Sequence, residues 1–262
     1  MKTKEPEQQV RSVKKLSCFI ADTDALIKEA QALRYRVFAQ EMGATLKSGQ
    51  EGLDFDEFDK YCDHLLVYDN VNAKIVGYTR LLNQDQAKRL GRFYSQNEFI
   101  LDQVLALPGR FLEVGRTCVD PDYRGGAVLT TLWSALVQYA LEGQFNYLLG
   151  CASITPGVSG YAIDAVYRAI DAQNIASPEL QVKPLVPVPK ALRCQRDESG
   201  IPPLLSAYLR FGALVCGEPY WDEDFNCMDL FILLPLDQLQ ERYSKHYMRG
   251  CQTNEVENAA LL

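Results

Sequence analysis

No CxxC pair occurs in this sequence, although it holds eight cysteines, at positions 18, 62, 118, 151, 194, 216, 227 and 251. Metal knuckles need ligands clustered two to four residues apart, so no metal site is expected. Cysteines scattered in this way are read as reduced, buried, small hydrophobes. Histidine is scarce as well, with His64 and His246 alone. No apolar run approaches the roughly 20 residues that span a bilayer. The polar start MKTKEPEQQVRSVKK is followed by no stretch of signal-peptide length. A cytoplasmic protein is expected, and peripheral contact with the inner membrane stays open because amphipathic surface contacts leave a weaker trace. Repeats and low-complexity segments are lacking. So is a basic surplus: the net charge of −7 disfavours nucleic acid as a partner.

What is present is an ordinary soluble composition. Hydrophobic residues make up 47% and charged residues 23% of 262, which argues against disorder, and the length can bury one large core or two modest ones. Residues 16–250 read as a single domain, with tails at 1–15 and 251–262. Arginine concentrates in the first part, at Arg34, Arg36, Arg80, Arg89, Arg92, Arg110, Arg116 and Arg124. A local basic patch on an acidic protein follows from that clustering.

Element types alternate along the chain. LSCFI (16–20) reads as a strand, and Asp22 or Thr23 caps the helix after it. That helix carries an apolar stripe through Leu26, Ile27, Ala30, Leu33, Val37 and Phe38 and ends near Gly43. An acidic, irregular stretch runs to Tyr61. HLLVY (64–68) and KIVGYTRLL (74–82) form a hairpin across DNVNA. A mixed helical segment leads to a strand at 110–119, a long amphipathic helix at 127–142 and a strand at 146–153. Helices are expected at 157–170 and 202–212, a buried strand at 228–236, and a closing helix in LDQLQERYSKHY. LQVKPLVPVP, broken by prolines, is at best an edge strand. This order is that of an α/β sandwich.

Several motifs occur in an order that resembles the GNAT-fold acyltransferases. They are LRYRVF (33–38), DFDEFDKYCDH (54–64), KIVGYTRLL (74–82) and FLEVGRTCVDPDYR (111–124). YLLGCAS (147–153), PPLLSAYLRFGA (202–213) and DEDFNCMDLFILLP (222–235) resemble the ornithine lipid-forming N-acyltransferases in particular, with the acyl-homoserine-lactone synthases as more distant likenesses. The resemblance implies an α/β (α+β), GNAT-like three-layer sandwich. Its mixed sheet would have splayed central strands, and a C-terminal elaboration would complete the single domain. It implies an acyltransferase that moves a long-chain, often 3-hydroxylated, acyl group from acyl carrier protein to the α-amine of ornithine. No cofactor would be bound, and the acyl-phosphopantetheine of the carrier would be co-substrate.

Aminolysis of a thioester needs a neutral amine, a proton acceptor and donors for the developing oxyanion. In this fold the thioester lies between two splayed strands, here 110–119 and 146–153. Glu113, mid-strand in an apolar run, is the candidate base; an ion pair with Arg116 or Arg80 is the structural alternative. Arg116, the second catalytic candidate, lies three residues on and shares a face with Glu113 only across a bulge, which the family has there. Arg34 and Arg80 match basic family positions and would bind the substrate carboxylate or orient Glu113; pairing with the acidic loop is the alternative. Asp59 and Asp63 would attract the substrate's cationic side chain. Arg124, Gly125 and Gly126 open the long helix and suit the pantetheine phosphate. RGGAVL lacks the glycine that coenzyme-A-using relatives carry at the fourth place, which favours a carrier protein. An acidic carrier would dock on the arginine-rich face.

Three other readings stand beside this one. An acyl-homoserine-lactone synthase or N-acyl amino acid synthase shares the chemistry but not the amine. A Cys62–His64 nucleophile would make the reaction ping-pong. A silent acyl-carrier or lipid-binding module would keep the cleft and lose its polar centre.

Overall fold

The computed structural model describes residues 15–46, 52–155, 163–193 and 201–237. Both expected tails, the closing helix beyond Asp237, His246, Cys194 and Cys251 lie outside them, Lys15 excepted. Strands β1 (Leu16–Ile20), β2 (Asp63–Asp69), β3 (Lys74–Asn83), β5 (Phe111–Val119), β6 (Tyr147–Ile154), β8 (Leu214–Val215) and β10 (Cys227–Pro235) form one sheet in the order β1-β2-β3-β5-β6-β10-β8. β9 (Tyr220–Asp222) also pairs with β10. Of these pairings only β5–β6 is parallel. Strand β4 (Phe99–Ile100) pairs with β7 (Lys183–Pro184), so the proline-broken stretch yields two strand residues at an edge.

Helices cover both faces, as a sandwich requires. Helix α1 (Asp24–Tyr35) starts at Thr23, whose hydroxyl accepts the Leu26 amide at 3.3 Å. It buries Ala30 and Leu33 against Leu66, Ile75 and Tyr78 of the sheet. The helix then widens into a π-helical segment, Arg36–Glu41, a rare conformation that carries Val37 and Phe38 inward. The long helix α4 (Ala127–Glu142) lies on the opposite face. Its residues Val128, Leu132, Leu136 and Ala140 recur every four positions and are all buried against Leu65, Val67 and Leu81. Gly77 makes this approach close, since a Cβ there would stand 2.5 Å from a Val128 methyl.

A third apolar cluster completes the α1 side. Phe58, Leu82, Phe93, Phe99, Phe111, Leu149 and Phe231 pack beneath segments including α2 (Gln84–Leu90) and α3 (Asp102–Leu105). Helix α5 (Ile163–Ala169) occupies the described part of the expected 157–170 helix, and α6 (Pro203–Arg210) matches the expected 202–212. Among the described cysteines, four are buried and Cys18 and Cys151 half-buried.

Candidate active site

β5 and β6 pair only at Phe111–Tyr147, Leu112–Leu148 and Glu113–Leu149, although both strands continue well beyond. At the divergence, Gly150 lies so close to β5 that a Cβ would stand 2.4 Å from the Val114 carbonyl oxygen. The expected bulge is present. Arg80 faces Gly115 while Tyr78 faces Cys118, so β5 holds one extra residue, and Arg116 takes a left-handed backbone with φ 53°. A non-glycine residue in that conformation carries strain of about 1–3 kcal/mol, typical of working sites. Between the parted strands opens a cavity of about 600 Å³. Val37, Phe38, Leu129, Leu204 and Phe225 give it apolar walls, and Arg80, Glu98, Glu113, Arg116, Arg124, Asp222 and Asp229 also line it.

The acidic loop folds onto the arginines. Arg34 reaches Asp54 at 2.8 Å and Asp59 at 2.6 Å; Arg80 reaches Asp56 at 2.6 Å and Asp59 at 3.3 Å. Arg116 stands farther off, 3.5 Å from Asp54 and 3.6 Å from Asp56, its guanidinium held between the rings of Tyr94 and Phe225. Three charges of each sign balance in a nearly dry site. Burial alone would raise the Asp59 pKa, but Arg34 and Arg80 outweigh it and hold the group at about 2. Burial likewise opposes the charge of all three guanidiniums; Tyr78 with Asp59 and Asp54 restores it at Arg34, Asp56 with Asp59 at Arg80, and Tyr94 with Asp54 at Arg116.

Glu113 makes no ion pair with Arg80 or Arg116. Its Oε2 accepts the Tyr94 amide at 2.6 Å, and its Oε1 accepts the Ser95 amide at 2.7 Å and the Ser95 hydroxyl at 2.5 Å. Burial raises its pKa and these donors oppose the rise. The Ser95 hydroxyl also lies 3.3 Å from the Cys151 thiol.

Three further carboxylates line the cavity with no ion pair among the described residues. Glu98, Asp229 and Asp222 are 3%, 4% and 8% exposed. Neither oxygen of Glu98 has a hydrogen-bond partner. Cys151 and Tyr94 stand near enough only to ease its charge in part, and burial with the neighbouring Asp229 pushes its pKa well up. Burial chiefly raises Asp229 to about 6 and also lifts Asp222. The sequence reading missed all three. The reasoning applied to Glu113 would have found Asp229, a lone carboxylate inside MDLFILLPL. Glu98 and Asp222 border short strands and give no such signal.

Several expected site residues lie elsewhere. Asp63 turns to the opposite face of β2, where the Tyr139 hydroxyl of α4 donates to it; strand alternation sends it away from the neighbouring His64 and from the cavity. Arg34 is fully buried beneath the acidic loop and does not line the cavity. Arg34, Arg80 and Arg116 are therefore removed from the expected docking face. Arg124 and Gly126 line the cavity, and α4 begins at Gly126 without a side-chain cap, but Gly125 is exposed outside it. Arg124 meanwhile forks onto Glu41. The Cys62–His64 nucleophile is contradicted. Burial pushes the Cys62 thiol up to about 12, and the His64 ring bonds the Tyr78 hydroxyl at 2.8 Å and the Asp59 carbonyl at 3.0 Å instead.

Comparison with known proteins sets this geometry in a family. Residues 33–134 match the acetyltransferase (GNAT) domain family. The chain is 36% identical over 245 residues to the L-ornithine N(alpha)-acyltransferase of Rhizobium meliloti (strain 1021), covering 87% of this chain and 82% of that one. It is 34% identical over 251 residues to the protein of the same name from Brucella abortus (strain 2308), covering 90% and 89%. In three dimensions it resembles a CoA-dependent acyl-homoserine lactone synthase with a TM-score of 0.50 and 16% identity, over 84% of this chain and 82% of the other. That likeness bears on the fold alone. No described helix is long and apolar enough to cross a membrane.

Proposed function

Since the chain belongs to the L-ornithine N(alpha)-acyltransferase family, we propose that it moves a long-chain, often 3-hydroxylated, acyl group from acyl carrier protein to the α-amine of ornithine, forming a lyso-ornithine lipid. The parting of β5 and β6 after Glu113 carries this reading, because it opens an apolar-walled cavity with charged groups at its centre. The thioester arm lies in that gap, its phosphate near the uncapped start of α4 and Arg124. Arg36 and Arg124, both half-exposed on the arginine-rich side, face the acidic carrier.

The amine attacks the thioester carbon directly. The C–N bond forms, the carbonyl π electrons move to oxygen, and collapse expels the pantetheine thiolate. Glu113 takes the amine proton through its remaining acceptor direction, since three of about four lone-pair sites are already filled. Its raised pKa suits a proton acceptor better than an ordinary carboxylate would. Arg116, the most loosely paired of the three arginines, holds the substrate carboxylate, and Arg80 and Asp59 hold the loop in register. The amphiphilic product leaves at the inner-membrane surface.

Purified protein mixed with 3-hydroxyacyl carrier protein and ornithine should yield the mono-amide, read by mass spectrometry. Equal turnover with the acyl-CoA would overturn the carrier assignment. Glu113→Gln should lower kcat by about 10²-fold or more and flatten the acid limb of its pH profile. A profile of unchanged shape would leave Glu113 as an anchor for Tyr94 and Ser95 only.

A further inference from the structure

The Arg–Asp network beside the cavity is balanced, but the opposite wall is not. Glu98, Asp222 and Asp229 join no ion pair among the described residues, and each is more than nine-tenths buried. β10 holds Asp229 opposite Ser153 of β6 and Tyr220 of β9, and Asp222 lies opposite Cys227. Asp229 and Asp222 are partly satisfied, by the Cys227 thiol at 3.6 Å and the Phe225 amide at 3.0 Å. Glu98 is the least satisfied, lining the cavity with neither oxygen in a well-formed hydrogen bond and its charge eased only in part by Cys151 and Tyr94. Buried carboxylates crowded together are costly to ionise, and Arg116, which forms no ion pair with them, offsets the charge of Asp229 and Asp222 only in part. Such a cluster persists where a cation completes it.

We propose that Glu98, with Asp229 and Asp222, binds the side-chain ammonium of the amino-acid acceptor and thereby selects a basic amino acid. This rests on the transferase reading above and deepens it by naming the specificity-determining wall. A thread of contacts joins the two ends of the acceptor. Glu113 meets Ser95 at 2.5 Å, Ser95 meets Cys151 at 3.3 Å, and Cys151 neighbours Glu98. An amino acid spanning that thread would have its α-amine at Glu113 and its terminal ammonium at Glu98. A bound divalent metal is the rival occupant, since ligand atoms of Asp222, Cys227 and Asp229 lie within 4.8 Å of one another. Glu98 stands outside that trio, and binding measured with and without EDTA separates the two occupants.

The test compares ornithine with norvaline, the same backbone ending in a methyl group in place of the aminomethyl. Calorimetry on the full chain without acyl donor should show ornithine binding, undiminished by EDTA, and norvaline at least about 100-fold weaker. Glu98→Gln and Asp229→Asn should each reduce that preference at least tenfold and, in turnover, raise the KM for ornithine more than they lower kcat. Both variants replace a carboxyl whose ionisation the buried site opposes, so their melting temperatures should hold or rise, which a purely structural role for these carboxylates would reverse. Equal affinity for the two ligands, unchanged preference in both variants, or ornithine binding that requires added metal would overturn the proposal. Intact ornithine selectivity with no amide product would instead overturn the transferase reading and leave this one standing.

Discussion

Asp59→Asn should be among the most damaging isosteric changes in the protein. The carboxylate is 9% exposed and bridges two buried guanidiniums, Arg34 at 2.6 Å and Arg80 at 3.3 Å. It also accepts the Asp56 amide at 2.8 Å, closing the turn that presents the acidic loop. Neutralising it leaves three arginines against two aspartates where water cannot redistribute the charge. Losing one partner of a buried pair costs about 3–5 kcal/mol, and the surviving Asp54 and Asp56 argue for the lower end. At roughly 2–4 °C per kcal/mol for a domain of this size, the melting temperature should fall about 6–12 °C. An independent check comes from acid. The folded group titrates at about 2, below its ordinary 3.8, so its contribution is complete above about pH 4 and is lost as pH falls toward 2. A drop of that size corresponds to roughly 2–3 kcal/mol. Urea titrations of both proteins from pH 7 to pH 2.5 should therefore give curves that converge at the acid end. A variant within about 1 kcal/mol of wild type at pH 7, with a parallel pH dependence, would refute the view that this network is a mutually dependent unit.

Two smaller perturbations probe the cavity from other directions. Gly150→Ala puts a methyl 2.4 Å from the Val114 carbonyl at the point where the central strands part, so it should destabilise by about 1–3 kcal/mol and disturb turnover together, read by thermal melts and initial rates. Iodoacetamide at neutral pH should leave turnover intact, and Cys62→Ser should keep it, since the thiol titrates near 12 and His64 is engaged with Tyr78 and Asp59; abolished turnover in the serine variant would restore the covalent route.

Regular elements were legible in the sequence because each carries its own periodicity and punctuation. The stripe at 128, 132, 136 and 140 and the cap at Thr23 define helices without reference to anything distant. The β5 bulge and the parting of β5 from β6 came from the family resemblance, since no local pattern encodes where two strands stop pairing. The site was legible in part. Glu113, Arg80 and Arg116 stand out as charges inside apolar strands. Asp63 was misplaced because in DKYCDH only strand register decides which acid faces which side, and β2 begins at Asp63 itself. Glu98 was invisible because its significance lies in what fails to meet it.

The contrast between Glu113 and Glu98 bears on which amine of a diamino acid reacts. Both carboxylates are buried to 3% exposure, yet one accepts three hydrogen bonds and the other none. An ammonium beside Glu98 meets a charge eased only in part by Cys151 and Tyr94 and reinforced by Asp229 and Asp222, and it stays protonated, which makes it useless as a nucleophile. An ammonium beside Glu113 meets a carboxylate whose charge is already shared among the Tyr94 and Ser95 donors, and with Arg80 nearby its own charge is less well supported. On the proposed reading the α-amine is thus the one that loses its proton, and the side-chain amine is the one that is gripped. Selectivity for the α position then needs no steric gate. It follows from spending hydrogen-bond donors on one carboxylate and withholding them from the other.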